Sequence, residues 1–143
     1  MVAIATASPV RPLHPLHAVF LAFPFPLFLG ALLSDVAYWR TYEIQWANFS
    51  SWLIAGALLV GAFALLWALI DLFRTRRGGM RRATLYFVAL LAMWGLGFVN
   101  ALVHAKDAWA TMPEGLILSA VVALLALVAA WIGYSEYRAG EVV

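Results

Sequence analysis

Cysteine is absent from this chain. That excludes disulfides, thiolate nucleophiles, iron–sulfur ligation and thioether-attached haem within the chain. Charge is nearly as scarce: 11% of the 143 residues are charged, against about 25% in soluble domains. With 66% hydrophobic residues and a mean hydropathy of +0.93, no water-facing surface could cover the core, and a bilayer must act as part of the solvent. Net charge is only +2, so the basic isoelectric point of 9.3 reflects a few arginines and not a nucleic-acid-binding face. Hydrolytic motifs are missing too. No Ser or Thr sits beside a histidine with an orienting carboxylate, and no glycine-rich phosphate loop or zinc-protease motif occurs.

What the chain does have is long apolar runs. A hydrocarbon core about 30 Å thick needs roughly 20 apolar residues in a helix. Four segments meet this, at about residues 17–38, 48–72, 83–104 and 115–137. The predicted fold is therefore a single all-α domain over residues 1–143, with four transmembrane helices in an up-down-up-down bundle joined by short loops. The first apolar run is long enough to span, and Arg11 is the only early charge, so a cleavable signal is not expected. The loop between the second and third spans carries Arg74, Arg76, Arg77, Arg81 and Arg82, which places it in the cytoplasm. Both termini follow it there, with Arg11 and Arg138, while Arg40 and Lys106 face outward. Trp39, Tyr42, Trp46, Trp52 and Trp109 gather at the outer boundary, where amphipathic rings favour the headgroup layer.

The helix faces differ in chemistry. Small residues repeat on the second span (Ala57, Gly61, Ala64, Ala68, then Asp71) and on the fourth (Ser119, Ala123, Ala126, Ala130, Gly133). Such stripes let membrane helices approach closely and read as packing seams. The third span carries Gly97, Asn100, His104 and Asp107 on one face, and Asp35 reaches the same depth near the outer end of the first span. A carboxylate in that zone needs partners. Asp35, Asn100, His104 and Asp107 are therefore expected to form an outer polar cluster. It is read either as a hydrogen-bond network pinning the first span to the third, or as a site for a metal, a proton or a cofactor. At the cytoplasmic end, His14 and His17 sit three residues apart, with Asp71 and Glu136 ending the second and fourth spans. Imidazoles with carboxylates suit a divalent metal, although Pro15 beside His14 equally marks a helix start. Pro24 and Pro26 should kink the first span.

Geometry argues against an intramolecular bis-histidine haem. Eighteen residues separate His17 from Asp35, about 27 Å of helix rise, and His104 lies at the Asp35 end. His14 and His17 come from one turn and cannot flank a porphyrin. Haem would need a non-histidine second ligand, or His104 from two subunits across a twofold axis.

The run His14-Pro15-Leu16-His17, then Phe23-Pro24-Phe25-Pro26 and Ser34-Asp35-Val36-Ala37-Tyr38-Trp39, resembles the domain-of-unknown-function 2231 family of bacterial inner-membrane proteins. So do Trp52 to Asp71, Asn100 to Trp109, and Pro113-Glu114-Gly115. The resemblance implies a four-helix membrane module without a settled activity, whose relatives sometimes occur with c-type cytochrome or Rieske-like domains. Relatives often carry a histidine in the C-terminal Tyr-Arg-x-Gly tail, where this chain has Ala139.

Three functional readings follow. The first is a non-enzymatic accessory or scaffold protein of the bacterial inner membrane, tied to a respiratory or other redox complex. The second is a redox module that binds a metal, haem or quinone through the outer cluster. The third is a proton or ion pathway. The partners expected are the lipid bilayer and other membrane subunits or a second copy, with no nucleic acid.

Overall fold

Proline sets where the first span starts and where it is interrupted. In the computed structural model, α1 (Pro15–Ala22) opens with Pro15 in its first turn, and the His14 Nδ1 accepts from the Leu16 N–H at 3.3 Å as a cap. Pro24 opens α2 (Pro24–Thr41). Phe23 between them keeps right-handed helical dihedrals (φ −80°, ψ −39°), and the Leu27 N–H still reaches the Phe23 carbonyl at 3.2 Å. The helix is thus interrupted at Phe23 while the backbone keeps helical dihedrals, at the place where Pro24 and Pro26 remove donors. Tyr42 then takes the left-handed conformation (φ 56°) and caps α2 with a 2.8 Å bond to the Tyr38 carbonyl. The chain turns directly into α3 (Ile44–Arg74), followed by α4 (Met80–His104) and α5 (Glu114–Arg138). The structure describes residues 13–75, 79–106 and 110–138, the last three by backbone alone.

Four spans result: α1 with α2 over 27 residues, α3 over 31, α4 over 25, and α5. Each is long and apolar enough to cross a bilayer, and the described residues contain no strand. The helices begin a few residues earlier than the apolar runs alone indicate, because the polar turns that flank each run also wind into helix. The first span packs on α3 and α5, and α4 also packs on α3 and α5, closing a ring of antiparallel neighbours.

The buried positions advance in steps of four and three. The stepped series includes His17, Leu21, Pro24, Phe28, Ala31 and Asp35 on the first span, with Ser34 and Tyr38 buried beside it, and Ser50, Ile54, Ala57, Gly61, Ala64 and Ala68 on α3. On α4 it includes Tyr86, Leu90, Met93, Gly97 and Asn100, and on α5 Gly115, Ser119, Val122, Ala126, Ala129 and Gly133. This is coiled-coil spacing, and it keeps each seam facing the bundle axis. The register between the diagonal spans stays constant. His17 meets Tyr86 and Asp35 meets His104, each pair 69 residues apart. Between them Phe28 covers Gly97, whose Cβ, if added, would lie 2.9 Å from the ring. Cross-contacts agree: Gly61 lies against Met93 and Pro24, Gly133 against Leu21 and Tyr86, and Gly115 against His104. The small stripe on α3 is buried through Ala68, while Asp71 is exposed. On α5 the stripe runs through Ala129 beside Ala123 and Ala126, and Ala130 is only half-buried.

Candidate functional site

The two ends of this core are polar and its middle is not. Three central layers consist of Phe28, Ala57, Gly97 and Val122; Pro24, Gly61, Met93 and Ala126; and Leu21, Ala64, Leu90 and Ala129. At one end of them lies Asp35, fully buried. Its Oδ1 is 2.9 Å from the His104 Nε2, and its Oδ2 accepts from the Ser119 hydroxyl at 2.5 Å. The Ser119 oxygen accepts from the Asn100 side-chain amide at 2.9 Å, and the His104 Nδ1 is 3.0 Å from the Asn100 main-chain carbonyl. The chain of bonds therefore leaves Asn100 by its side chain, passes through Ser119, Asp35 and His104, and returns to Asn100 by its backbone. Ser50 on α3 completes the set. Its hydroxyl lies 3.3 Å from both the Ala31 carbonyl and the His104 Nε2. All four spans contribute a side chain.

Hydrogen-bond roles fix the protons. A carbonyl only accepts, so the His104 Nδ1 must carry a hydrogen. One further proton then lies on the line between Nε2 and Oδ1, held as imidazolium with carboxylate or as imidazole with carboxylic acid. Either way the pair is neutral, which is the inexpensive state for a buried carboxyl and imidazole. Both Asp35 oxygens and both His104 nitrogens are thereby engaged. The Asn100 Oδ1 is the one buried side-chain atom of this set without a hydrogen-bond partner among the described residues.

The contact expected between Asp35 and His104 is thus direct, with Asn100 joined through Ser119 and through its own carbonyl. Asp107 lies outside the described residues. Sequence reasoning missed Ser50 and read Ser119 only as a small packing residue. Both occupy the stepped seam at the depth of Asp35, and that register was the available signal. His104 also forms part of the floor of a cleft of about 510 Å³ that opens at this end of the bundle, lined by Gln45, Asn48, Ser51, Lys106 and Thr111 among others. Gly115 makes room for the imidazole, since a Cβ there would lie 2.9 Å from the His104 Cε1.

At the opposite end the His17 Nε2 stands 2.7 Å from the Tyr86 hydroxyl, both buried. His14 caps α1, and the rings of His14 and His17 lie 4.8 and 5.6 Å from the Trp67 ring. Asp71 is exposed, and the Glu136 side chain lies outside the described residues. Among the described residues no three His, Asp or Glu side chains gather as a metal-holding group. Sequence reasoning missed Tyr86, and the available signal was its spacing: it precedes His104 by the same 18 residues that separate His17 from Asp35.

A family model described as a predicted membrane protein matches residues 13–139, nearly the whole chain and every residue of both polar ends that the structure describes. The chain belongs to the DUF2231 family. No curated protein and no solved structure matches it. In this DUF2231 protein the matched region takes in the Pro24 segment, the three central layers and the Asp35 cluster together.

Proposed function

We propose that this protein is a non-enzymatic accessory or scaffold module of the bacterial inner membrane, with both termini and the arginine-rich loop in the cytoplasm. The observation that supports it best is the closed bonding of the Asp35 cluster. Its carboxylate and imidazole are spent on one another and on serine and amide groups from neighbouring spans, so their role is to fix helix positions. A lipid-facing exterior fits the same reading: Trp39, Trp46, Trp52, Phe73 and Trp131 are exposed along the spans. Association with a respiratory or other redox complex belongs to this reading through the family resemblance alone.

The cofactor reading is less well supported. A metal at Asp35 or His104 would have to displace bonds already made within the protein. A proton or ion pathway finds no relay in the central layers, whose twelve side chains are apolar or absent. An absorption spectrum with metal analysis of the purified full chain tests the proposal. The scaffold reading expects neither a Soret band nor stoichiometric metal, and either one would replace it with the cofactor reading.

A further inference from the structure

We infer that Asp35 and His104 form a binding site for one proton, exchanging with the aqueous phase on their own side of the membrane only, and that the Ser50 hydroxyl turns toward His104 when the proton leaves. The inference goes beyond the scaffold reading and does not need it.

The stereochemistry leads there in three steps. The His104 Nδ1 hydrogen is committed to the Asn100 carbonyl and stays in place whether or not the pair carries its second proton. The exchangeable proton is therefore the one between Nε2 and Asp35 Oδ1, 2.9 Å apart. Its loss to water leaves a neutral imidazole, a carboxylate and a net charge of −1, with two acceptors facing each other. A donor is then needed at Nε2, and Ser50 is the one in place. Its oxygen is equidistant, at 3.3 Å, from Nε2 and from the Ala31 carbonyl. Ala31 lies inside α2, where its carbonyl retains a helical N–H partner. Ser50 can turn away from it without stranding an acceptor. Ser119 cannot substitute, because its hydroxyl hydrogen is held by Asp35 Oδ2.

Access is one-sided. His104 borders the cleft at the Asp35 end, while three layers without a polar side chain separate the pair from His17 and Tyr86. Asp107 lies outside the described residues; among those described, the other ionisable side chains at this end are Tyr38 and Arg40 on α2, Tyr42 and Glu43 between α2 and α3, Lys106 after α4 and Glu114 at the start of α5. Tyr38 is buried and the rest are exposed, with Lys106 and Glu114 paired at 3.7 Å. None of the hydrogen bonds around Asp35 and His104 described above comes from these groups. The site binds a proton and does not conduct one.

Histidine-selective ¹⁵N NMR of the full chain in lipid nanodiscs reads this directly, since the chain has only His14, His17 and His104. Over about pH 5 to 9, the His104 Nδ1 should remain protonated while the Nε2 signal shifts as the proton it shares with Asp35 leaves and the Ser50 hydroxyl takes its place. Asp35→Asn should hold His104 in the single Nδ1–H form throughout. Ser50→Ala removes the compensating donor, so conversion should need a higher pH by about one unit, a tenfold tighter hold on the proton. In oriented proteoliposomes only a pH change on the Asp35 side should move the signal. An unchanged Nε2 across the range, loss of the Nδ1 proton, or a Ser50→Ala midpoint equal to the parent's would each overturn the inference. Finding a bound chromophore would overturn the scaffold reading instead, and the NMR result would still stand or fall separately.

Discussion

Ser119 donates to the oxygen of Asp35 that His104 does not reach. The two residues lie on different spans, and between them the carboxylate is bound on both sides within the core. A buried carboxyl so engaged is costly to leave half-satisfied and inexpensive to replace by a group that keeps the same bonds.

Asp35→Asn should therefore be mild, within about 1 kcal/mol, because the amide oxygen still accepts from Ser119 and its nitrogen can donate to the His104 Nε2. Asp35→Leu leaves the Ser119 hydroxyl and His104 without their buried partner, and should cost roughly 2–5 kcal/mol. Thermal unfolding of both variants in detergent separates them. Equal loss for Asn and Leu would mean that the charge itself holds the bundle.

Gly115→Ala should destabilise by about 1–3 kcal/mol. The new methyl would meet the Thr111 Cγ2 at 2.8 Å and the His104 Cε1 at 2.9 Å, and His104 cannot retreat without stretching its bond to Asp35. Gly95 on α4 is the internal control, since a Cβ there meets nothing within 4 Å. Gly95→Ala should be neutral or stabilising by up to about 1 kcal/mol. Melting temperatures that move together for both would place Gly115 outside the core.

Tyr86→Phe should cost roughly 1–3 kcal/mol by stripping His17 of its hydrogen-bond partner. Adding His17→Phe removes both polar partners, so the double variant should recover much of that loss. A double-mutant cycle measures the coupling, and strict additivity would show that the 2.7 Å contact does not contribute.

Much of this arrangement is legible in the amino-acid sequence. Length and hydropathy suffice for the four spans, because the bilayer imposes one scale on every helix. Asp35 and His104 could be paired because 18 residues of helix cross the core from His17 to the depth of the third span's polar face. Ser119 was harder to read. In a stripe with alanine and glycine, a serine looks like a small residue, and only the carboxylate opposite turns it into a donor. For His17 the sequence offers only residue type, which makes it a candidate metal ligand with His14, Asp71 and Glu136. The phenol that engages it comes from a span whose rotation about its own axis cannot be read from the sequence.

Arg74, Arg81 and Arg82 lie at the His17 end of the bundle, with Arg40 and Lys106 at the other. Reporter fusions at residue 143 and in the 75–79 loop should both behave as cytoplasmic under the arginine bias. A periplasmic signal at either site would invert the orientation, and the Asp35 cleft would then face the cytoplasm.

The constant offset of 69 between the first span and α4 makes these two helices a matched pair of rulers. One residue inserted between His17 and Asp35 would turn one polar end by about 100° relative to the other, so one of the two contacts would be lost. A matching insertion between Tyr86 and His104 would turn that helix by the same angle in the same sense, away from the bundle axis and not back toward its partner. Single-residue gains and losses within either segment should therefore not be tolerated, whereas a change of length in the loop joining α3 to α4 shifts both contacts equally.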